Sequence, residues 1–363
     1  MSLDIGFASD LGVSPELIQK FYKDQWKRKI ALSDNDFYSW QFINPPKNKK
    51  KDSCVVAIRK GKIFGVMGLN KRDFILSNIL YSGAELTTWV VAEDNLKSGV
   101  GAKILHFILK KFDVLIGMGI SEDALSIYLR SGFRYLNSIP RFVKIIAAEK
   151  MLQLSDCSVY AKKIIKKKLT EPEKYSYEML SWRNEKSAPN ISGNHFVRNL
   201  DNLIWRYEDH PYFEYKTFKV KLPSKQSEYI YVVLREEVTQ DIRIIHIIDI
   251  LGDESGYLTA LKFAEFYASK KNFWAVDCFS TFGGLNKYIV SQGWLSCVDD
   301  FYISVPYLFH PLEIKNPPTT SLIYWSRHNF DDMCDISKLY LTKQDADLDR
   351  PTILNIADEK EKT

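Results

Sequence analysis

The sequence predicts an α/β (α+β) protein made of two tandem units, each a mixed, mostly antiparallel sheet flanked by helices. Three observations lead there. Apolar runs rich in Val, Ile, Phe and Tyr alternate with stretches of helical spacing, which calls for sheets covered by helices. The order of these elements between 54 and 142 is echoed between 229 and 305, and in both halves the last helix is followed by glycine and an aromatic residue, Gly132-Phe133 and Gly293-Trp294. Finally, 363 residues exceed what one core usually serves. The expected division is a first domain over 1–149, a helical connector over 150–185, a second domain over 186–350 and a tail over 351–363.

The elements follow in order. Ser14-Pro15-Glu16 supplies a hydroxyl cap, a proline for the first turn and a carboxylate near the positive end, so a helix is expected from there to about 29. Pro45-Pro46 stops regular structure. Apolar runs over 54–59 and 62–69, split by Lys60-Gly61, read as a tight antiparallel hairpin. A strand over 85–91, a helix over 102–112, a buried strand over 114–120 and a short helix over 122–130 complete the first half. The connector is basic, with Lys162, Lys163, Lys166, Lys167 and Lys168. The second half is expected to hold strands over 229–235, 242–251, 274–279 and 301–305, with helices over 258–270 and 285–291. The closing ADEKEKT is too charged to pack and is expected to be disordered.

Composition narrows the function classes. Hydrophobic residues are 45% and aromatic ones 13%, a globular and not a disordered composition. A formal charge of +5 suits an anionic small ligand and demands neither nucleic acid nor membrane. The lysine runs 47–51 and 162–168 lack interleaved aromatics and read as solvated faces. Cys54, Cys157, Cys278, Cys297 and Cys334 are odd in number and scattered without CxxC spacing, which argues against a disulfide framework or a zinc site and for a reducing cytoplasm. Neither a signal peptide nor a membrane span is expected.

The stretch 84–133 carries the chemistry. At Lys97-Ser98-Gly99-Val100-Gly101-Ala102 a strand must turn sharply into a helix, and the glycines let successive backbone N–H groups converge on one spot, which attracts a pyrophosphate. Lys97 and Lys103 can add charge-assisted contacts. GxGxxG and Gly-Lys-Ser/Thr are both absent, so neither a dinucleotide fold nor a Walker loop fits. Over 54–142 the chain resembles the GNAT (GCN5-related) acyltransferase superfamily. Its signature is a strand, then Arg/Gln-x-x-Gly-x-Gly/Ala opening a helix, then Tyr shortly before Gly-Phe. Gly99, Gly101 and the segment Ser126-Ile127-Tyr128-Leu129-Arg130-Ser131-Gly132-Phe133 match, while Leu96 stands where the signature has Arg or Gln.

The resemblance implies acetyl-CoA or another acyl-CoA as co-substrate, with no metal. Its pyrophosphate would lie on the amides from Lys97 to Ala102, and its pantetheine would pair like a strand with Trp89, Val90 and Val91. Tyr128 is the candidate general acid, since a departing thiolate needs a proton that a phenol keeps at neutral pH; core packing is its other reading. Glu85 is the first candidate base for the attacking amine, with Asp94, Glu93 and Ser82 as rivals. Direct attack by an amine on a thioester needs no protein nucleophile.

The second half has no Gly-x-Gly loop. Asp253 and Glu254 stand where one would lie, and carboxylates repel a pyrophosphate, so this unit reads as a degenerate GNAT-like domain that shapes the acceptor pocket. Leu203-Ile204-Trp205-Arg206-Tyr207-Glu208-Asp209-His210-Pro211 and its looser counterpart around Trp40 in the first half both run aromatic, polar, proline. Trp40, Trp205, Arg206, Tyr207 and His210 are therefore the candidate substrate-binding residues, with interface packing for the aromatics and a turn cap for His210 as the other readings. These motifs, with Phe309 to Asn316 and Asp345 to Pro351, resemble two-domain GNAT-type proteins of bacterial surface-polysaccharide pathways. That implies an N-acyltransferase acting on a small-molecule acceptor with an amino group, an amino sugar that is in some members nucleotide-linked. The alternatives are an amino-acid, peptide or aminoacyl transferase of the double-GNAT type, and a non-catalytic CoA-binding protein.

Overall fold

The computed structural model, which describes residues 3–26, 30–154, 156–157, 163, 175–223, 225–239, 241–299, 303–310, 312–345 and 348–362, contains two seven-stranded mixed sheets. In chain order their strands are β1 (Asp4–Phe7), β2 (Val55–Arg59), β3 (Lys62–Lys71), β4 (Gly83–Val91), β5 (Val114–Met118), β6 (Arg134–Leu136), β7 (Arg141–Ile145), β8 (Tyr177–Leu180), β9 (Tyr215–Leu222), β10 (Lys225–Thr239), β11 (Ile242–Leu251), β12 (Ala275–Phe279), β13 (Leu295–Ser296) and β14 (Leu322–Ser326). The first sheet runs β1-β2-β3-β4-β5-β14-β6 and the second β8-β9-β10-β11-β12-β7-β13. Place by place the two sheets match. In each, only the fourth and fifth strands are parallel, and in each the third and fourth carry a bulge. The internal repeat expected from the order of elements is thus present in the topology.

Neither sheet is made from one continuous segment. The sixth place of the first sheet is filled by β14 from the second half, and the sixth place of the second sheet by β7 from the first. The linkers that carry this exchange are tied together, with the Ile139 N–H donating to the Thr320 carbonyl at 2.8 Å and the Thr319 hydroxyl to the Ile139 carbonyl at 2.5 Å. Separating the halves would pull an interior strand from both sheets. The strand expected over 301–305 therefore does not close the second sheet. Residues 301 and 302 lie outside the described residues, and Ile303–Ser304 pairs instead with Asp156–Cys157.

Helices cover both faces of the first sheet. α1 (Pro15–Gln25) and α2 (Asn35–Phe42) pack on one face; α3 (Val100–Leu109) and α4 (Glu122–Arg130) pack on the other, where Val100, Ile104 and Ile108 meet Leu69, Leu86 and Leu115. In the second half, α5 (Leu200–Tyr207) lies between β8 and β9, and α6 (Tyr257–Lys270) and α7 (Gly283–Ser291) pack on the sheet. The chain ends in α8 (Ile353–Lys362).

Two expectations are corrected. In the connector most residues between 155 and 174, including Lys162, Lys166, Lys167 and Lys168, lie outside the described residues, but 177–180 is strand β8, not helix. The residues there alternate, with Tyr177 on Phe218 and Phe263 while Glu178 faces Lys219, and that period of two suits a sheet edge. The tail expected to be disordered forms α8. Thr352 and Asn355 bond across its first turn, Ile356 is buried among α1 and α2 residues, and Lys360 pairs with Asp34. The charged composition concealed one apolar anchor. No helix among the described residues is long and apolar enough to cross a membrane.

Candidate functional site

A slot opens beside β4. The strand pairs with β3 from Ala84 to Val91, with an extra residue at Thr87-Thr88, but its ladder to β5 covers only Gly83–Leu86. Past that point the two strands diverge. Among the described residues no segment bonds to the β5-facing edge of 87–91, which leaves backbone donors and acceptors for an extended ligand. At the end of this edge the chain turns through Glu93–Asn95 and Gly99, whose φ of +81° favours glycine, into α3. The first bond of that helix is from the Lys103 N–H to the Gly99 carbonyl at 3.1 Å, so the N–H groups of Val100, Gly101 and Ala102 have no intrahelical partner and lie at the positive end of the helix. Gly101 is required for a different reason, since a Cβ there would lie 2.9 Å from Trp89 Cζ2. Leu96 is 61% exposed and directs no polar group at the turn, while Lys97 and Lys103 stand exposed beside it.

The equivalent slot in the second sheet is filled by the protein's own chain. β11 pairs with β12 only from Ile244 to Ile247, and the segment 339–345 lies in the gap beyond. The Gln344 N–H donates to the Ile248 carbonyl at 3.2 Å, the Tyr340 hydroxyl accepts the Ile250 N–H at 3.2 Å and donates to the Ile250 carbonyl, and the Thr281 N–H donates to the Leu341 carbonyl at 3.1 Å. Glu254, in the turn that matches the one before α3, is paired with Lys287. The sequence anticipated the acidic turn; the inserted segment it did not.

Tyr128 of α4 closes one side of the open slot. It is buried, meets Trp89 and Phe133 edge-on at 5.1 and 5.0 Å, and its hydroxyl makes no hydrogen bond with any described residue. Burial pushes its hydroxyl well above the ordinary tyrosine range, so the proton stays on. Glu85 projects from the opposite face of β4, directly across from Asn70 on β3, and Arg72 donates to its Oε1 at 2.7 Å. There a narrow hollow of about 10 Å³, room for about one water, is lined by Trp40, Gln41, Asn70, Glu85, Trp205, Arg206, Gln344, Asp349 and Arg350.

Its walls are built symmetrically. Asp34 caps the Phe37 N–H and Asn199 the Asn202 N–H, both at 3.0 Å, so α2 and α5 start alike. Trp40 and Trp205, 165 residues apart, then stack at 4.9 Å, each indole N–H donating to the other's backbone carbonyl at 2.9 Å. Arg206 is held by the Tyr215 hydroxyl at 2.7 Å and by the carbonyls of Gln344 and Asp349 at 3.3 and 3.0 Å. From Glu85 a buried row of alternating charge crosses between the sheets. Arg72 also reaches Asp345 at 3.3 Å, Asp345 meets Arg198 at 2.8 Å, and Arg198 meets Asp249 at 2.6 Å. Burial would raise the Asp349 carboxyl, but the Arg235 guanidinium at 2.8 Å, with Lys343 beyond it, holds it well below the usual carboxylate range.

The structure therefore brings Trp40, Trp205, Arg206 and Glu85 to one hollow, and Trp89, Val90, Val91, Tyr128 and the amides of Gly99 to Ala102 to one slot. Five other candidates lie elsewhere. Ser82 donates to Asp113 at 2.6 Å, seven residues and about 23 Å along the strand from Trp89. Asp94 and Glu93 are exposed in the turn that leads into α3 and do not line the hollow. Tyr207 donates to Asp249 at 3.2 Å and does not line the hollow. His210 caps a turn, its Nδ1 accepting from the N–H groups of Tyr212 and Phe213 at 3.1 and 2.9 Å behind Trp40, and burial with Arg206 nearby keeps it neutral, far below its ordinary value. Asn70, Arg72 and Gln344 went unsingled, because a lone amide or arginine has no spacing signature. The stretch from Asp345 to Pro351 was visible as an acidic motif, and Asp349 and Arg350 do reach the hollow.

No protein-family model matches the sequence, and no curated protein matches it. Among solved structures the chain is similar to a GCN5-related N-acetyltransferase from Kribbella flavida, with a TM-score of 0.51 and 9% identity over 90% of this chain and 72% of that one. It is similar to a GCN5-related N-acetyltransferase from Anabaena variabilis at a TM-score of 0.50 and 9% identity, over 89% of this chain and 72% of that one. Saccharomyces cerevisiae N-myristoyltransferase with bound myristoyl-CoA aligns at a TM-score of 0.48 and 8% identity, over 90% of this chain and 79% of that chain. At such identities the likeness is one of fold: two mixed α/β sheets in tandem.

Proposed function

We propose that the protein is an acyl-CoA-dependent N-acyltransferase whose first sheet binds the acyl-CoA and whose second unit, with the C-terminal segment, completes the acceptor pocket. The observation that carries this is the asymmetry of the two slots. In the second sheet the gap is occupied by 339–345, whereas in the first the edge of 87–91 is open and ends at the positive end of α3. Pantetheine extends along Trp89, Val90 and Val91, and the pyrophosphate rests on the amides from Gly99 to Ala102, with Lys97, Ser98 and Lys103 at the rim.

The acceptor amine enters the hollow on the other face of β4. Its nitrogen attacks the thioester carbonyl carbon, the C–S bond breaks, Glu85 receives the proton leaving nitrogen, and Tyr128 supplies the proton taken up by the CoA thiolate. Proton return from Glu85 to Tyr128 through solvent resets the site. Burial without a hydrogen-bond partner suits Tyr128 to this, because its proton is held against bulk titration. The acceptor we propose is an amino sugar, free or nucleotide-linked; Trp40, Trp205, Asp349 and Arg350 offer the aromatic face, acceptors and cation that such a molecule uses.

Acetyl-CoA at a hundred times its Kd should stabilise the fold by about 2.7 kcal/mol. Free thiol is then assayed with acetyl-CoA and a panel of amino sugars, nucleotide amino sugars, amino acids and peptides. No thermal shift with acetyl-CoA refutes the cofactor site, and turnover with peptides alone refutes the sugar.

A further inference from the structure

The hollow contains a buried polar group to which nothing above assigns a task. Asn70 is 4% exposed, lines the hollow, and faces Glu85 directly across the β3–β4 pair, yet its side-chain amide bonds to no described residue and its Oδ1 is buried without a partner. Buried amides in folded proteins are nearly always bonded, so an exception in a residue that lines a cavity points to a donor that arrives with a ligand. Its neighbours are already engaged. Both indole N–H groups are spent on each other's backbone, and Arg206 is spent on Tyr215, Gln344 and Asp349. In the second sheet the same place is held by Arg235, opposite His246 and just after the bulge, and that side chain is bound to Asp349 and Glu237. Only the first sheet keeps an uncommitted group there.

We infer that Asn70 binds the acceptor nitrogen and restricts the acceptor to primary amines. This rests on the acyl-transfer reading and deepens it. A neutral primary amine carries two N–H bonds and one lone pair. The lone pair forms the new bond to the acyl carbon, one N–H proton passes to Glu85 as the C–S bond breaks, and the remaining N–H, retained in the amide product, donates to Asn70 Oδ1 throughout. A secondary amine or an alcohol has a single hydrogen, so it loses either the Asn70 bond or the proton transfer. Asn70 touches the substrate and is a specificity residue, while Glu85 remains the base.

The experiment measures thiol release from acetyl-CoA by the full chain with glucosamine, glycinamide and glycylglycine, each beside its N-methyl counterpart. The wild type should prefer the primary amine by on the order of 10⁴-fold in kcat/KM, the scale of discrimination when a site built to bond an N–H meets an analogue without it. Asn70→Ala should raise the acceptor KM roughly tenfold or more, leave the acetyl-CoA KM unchanged, and erase most of that preference. Asn70→Asp, which keeps an acceptor oxygen, should restore part of the preference. An unchanged acceptor KM and preference in Asn70→Ala overturns the inference. So does equal use of primary and N-methyl amines by the wild type, a result that needs no variant to fold. A thermal shift with acetyl-CoA but no turnover of any amine also overturns it while sparing the cofactor site, whereas no shift and no turnover removes the acyl-transfer reading itself.

Discussion

Replacing Arg72 by methionine tests whether the buried charge row is built around the proposed base. Arg72 is 1% exposed and its guanidinium serves four acceptors: Glu85 at 2.7 Å, Asp345 and Gln344 at 3.3 Å, and the Val197 carbonyl at 3.4 Å. Methionine fills much of the volume but leaves Glu85 and Asp345 facing each other without the cation between them. Breaking such a pair from one side costs about 3–5 kcal/mol, because an uncompensated charge stays buried. Glu85→Gln removes one carboxylate but leaves Arg72 with Asp345, so its cost should be only about 1–3 kcal/mol. In the double variant Asp345 retains Arg198, and no charge is stranded beside position 85. The double variant should therefore be more stable than the sum of the two by about 1–3 kcal/mol. Urea denaturation of all four proteins gives the coupling. Additivity within about 0.5 kcal/mol would mean that the two side chains do not interact, and the placement of Glu85 would fall with it.

Three further outcomes are expected. Tyr128→Phe should lower kcat by about 10²-fold or more while acetyl-CoA still raises the melting temperature; full activity would remove the acid role. His195 is held near a pKa of about 4, first by burial and then by Arg198, below its ordinary 6.5. Between those values the unfolded chain binds the extra proton, so its contribution, up to about 3 kcal/mol, is complete above pH 6.5 and is lost as pH falls toward 4; an equally steep acid loss of stability in His195→Gln would contradict this. Because β7 and β14 are exchanged, the full chain should unfold in one transition and the fragment 1–149 should show no cooperative melt. A fragment that melts like a folded domain would mean the exchange is dispensable.

Legibility in the sequence followed the range of the interaction. The helix over 122–130 and the strand over 242–251 were readable to the residue, because capping and hydrophobic period act within a turn or a few alternations. The glycine turn into α3 was readable for the same reason: Gly99 and Gly101 serve a local φ angle and a local contact with Trp89. Trp40 and Trp205 were readable because the repeat placed them alike. Ser82 and Asp94 drew notice only by being near Glu85 in sequence, and strand geometry carries neighbours of that kind apart.

By itself, then, the sequence determined the two-unit α/β plan, from an order of elements read twice, and the glycine-bearing strand-turn-helix of the first half with its absence from the second, which are consequences of residues close to one another in the chain. Only the tertiary structure decided which strand fills the sixth place of each sheet, that 339–345 occupies the second slot while the first stays open, and that Asn70, Arg72, Asp345 and Asp349 surround Glu85. Most of those arrangements depend on groups far apart in sequence, 60 residues for Thr281 and Leu341 and 273 for Arg72 and Asp345, meeting in a buried space, where each buried charge or amide must find a partner and each sheet edge a strand; no local pattern encodes which distant group that will be.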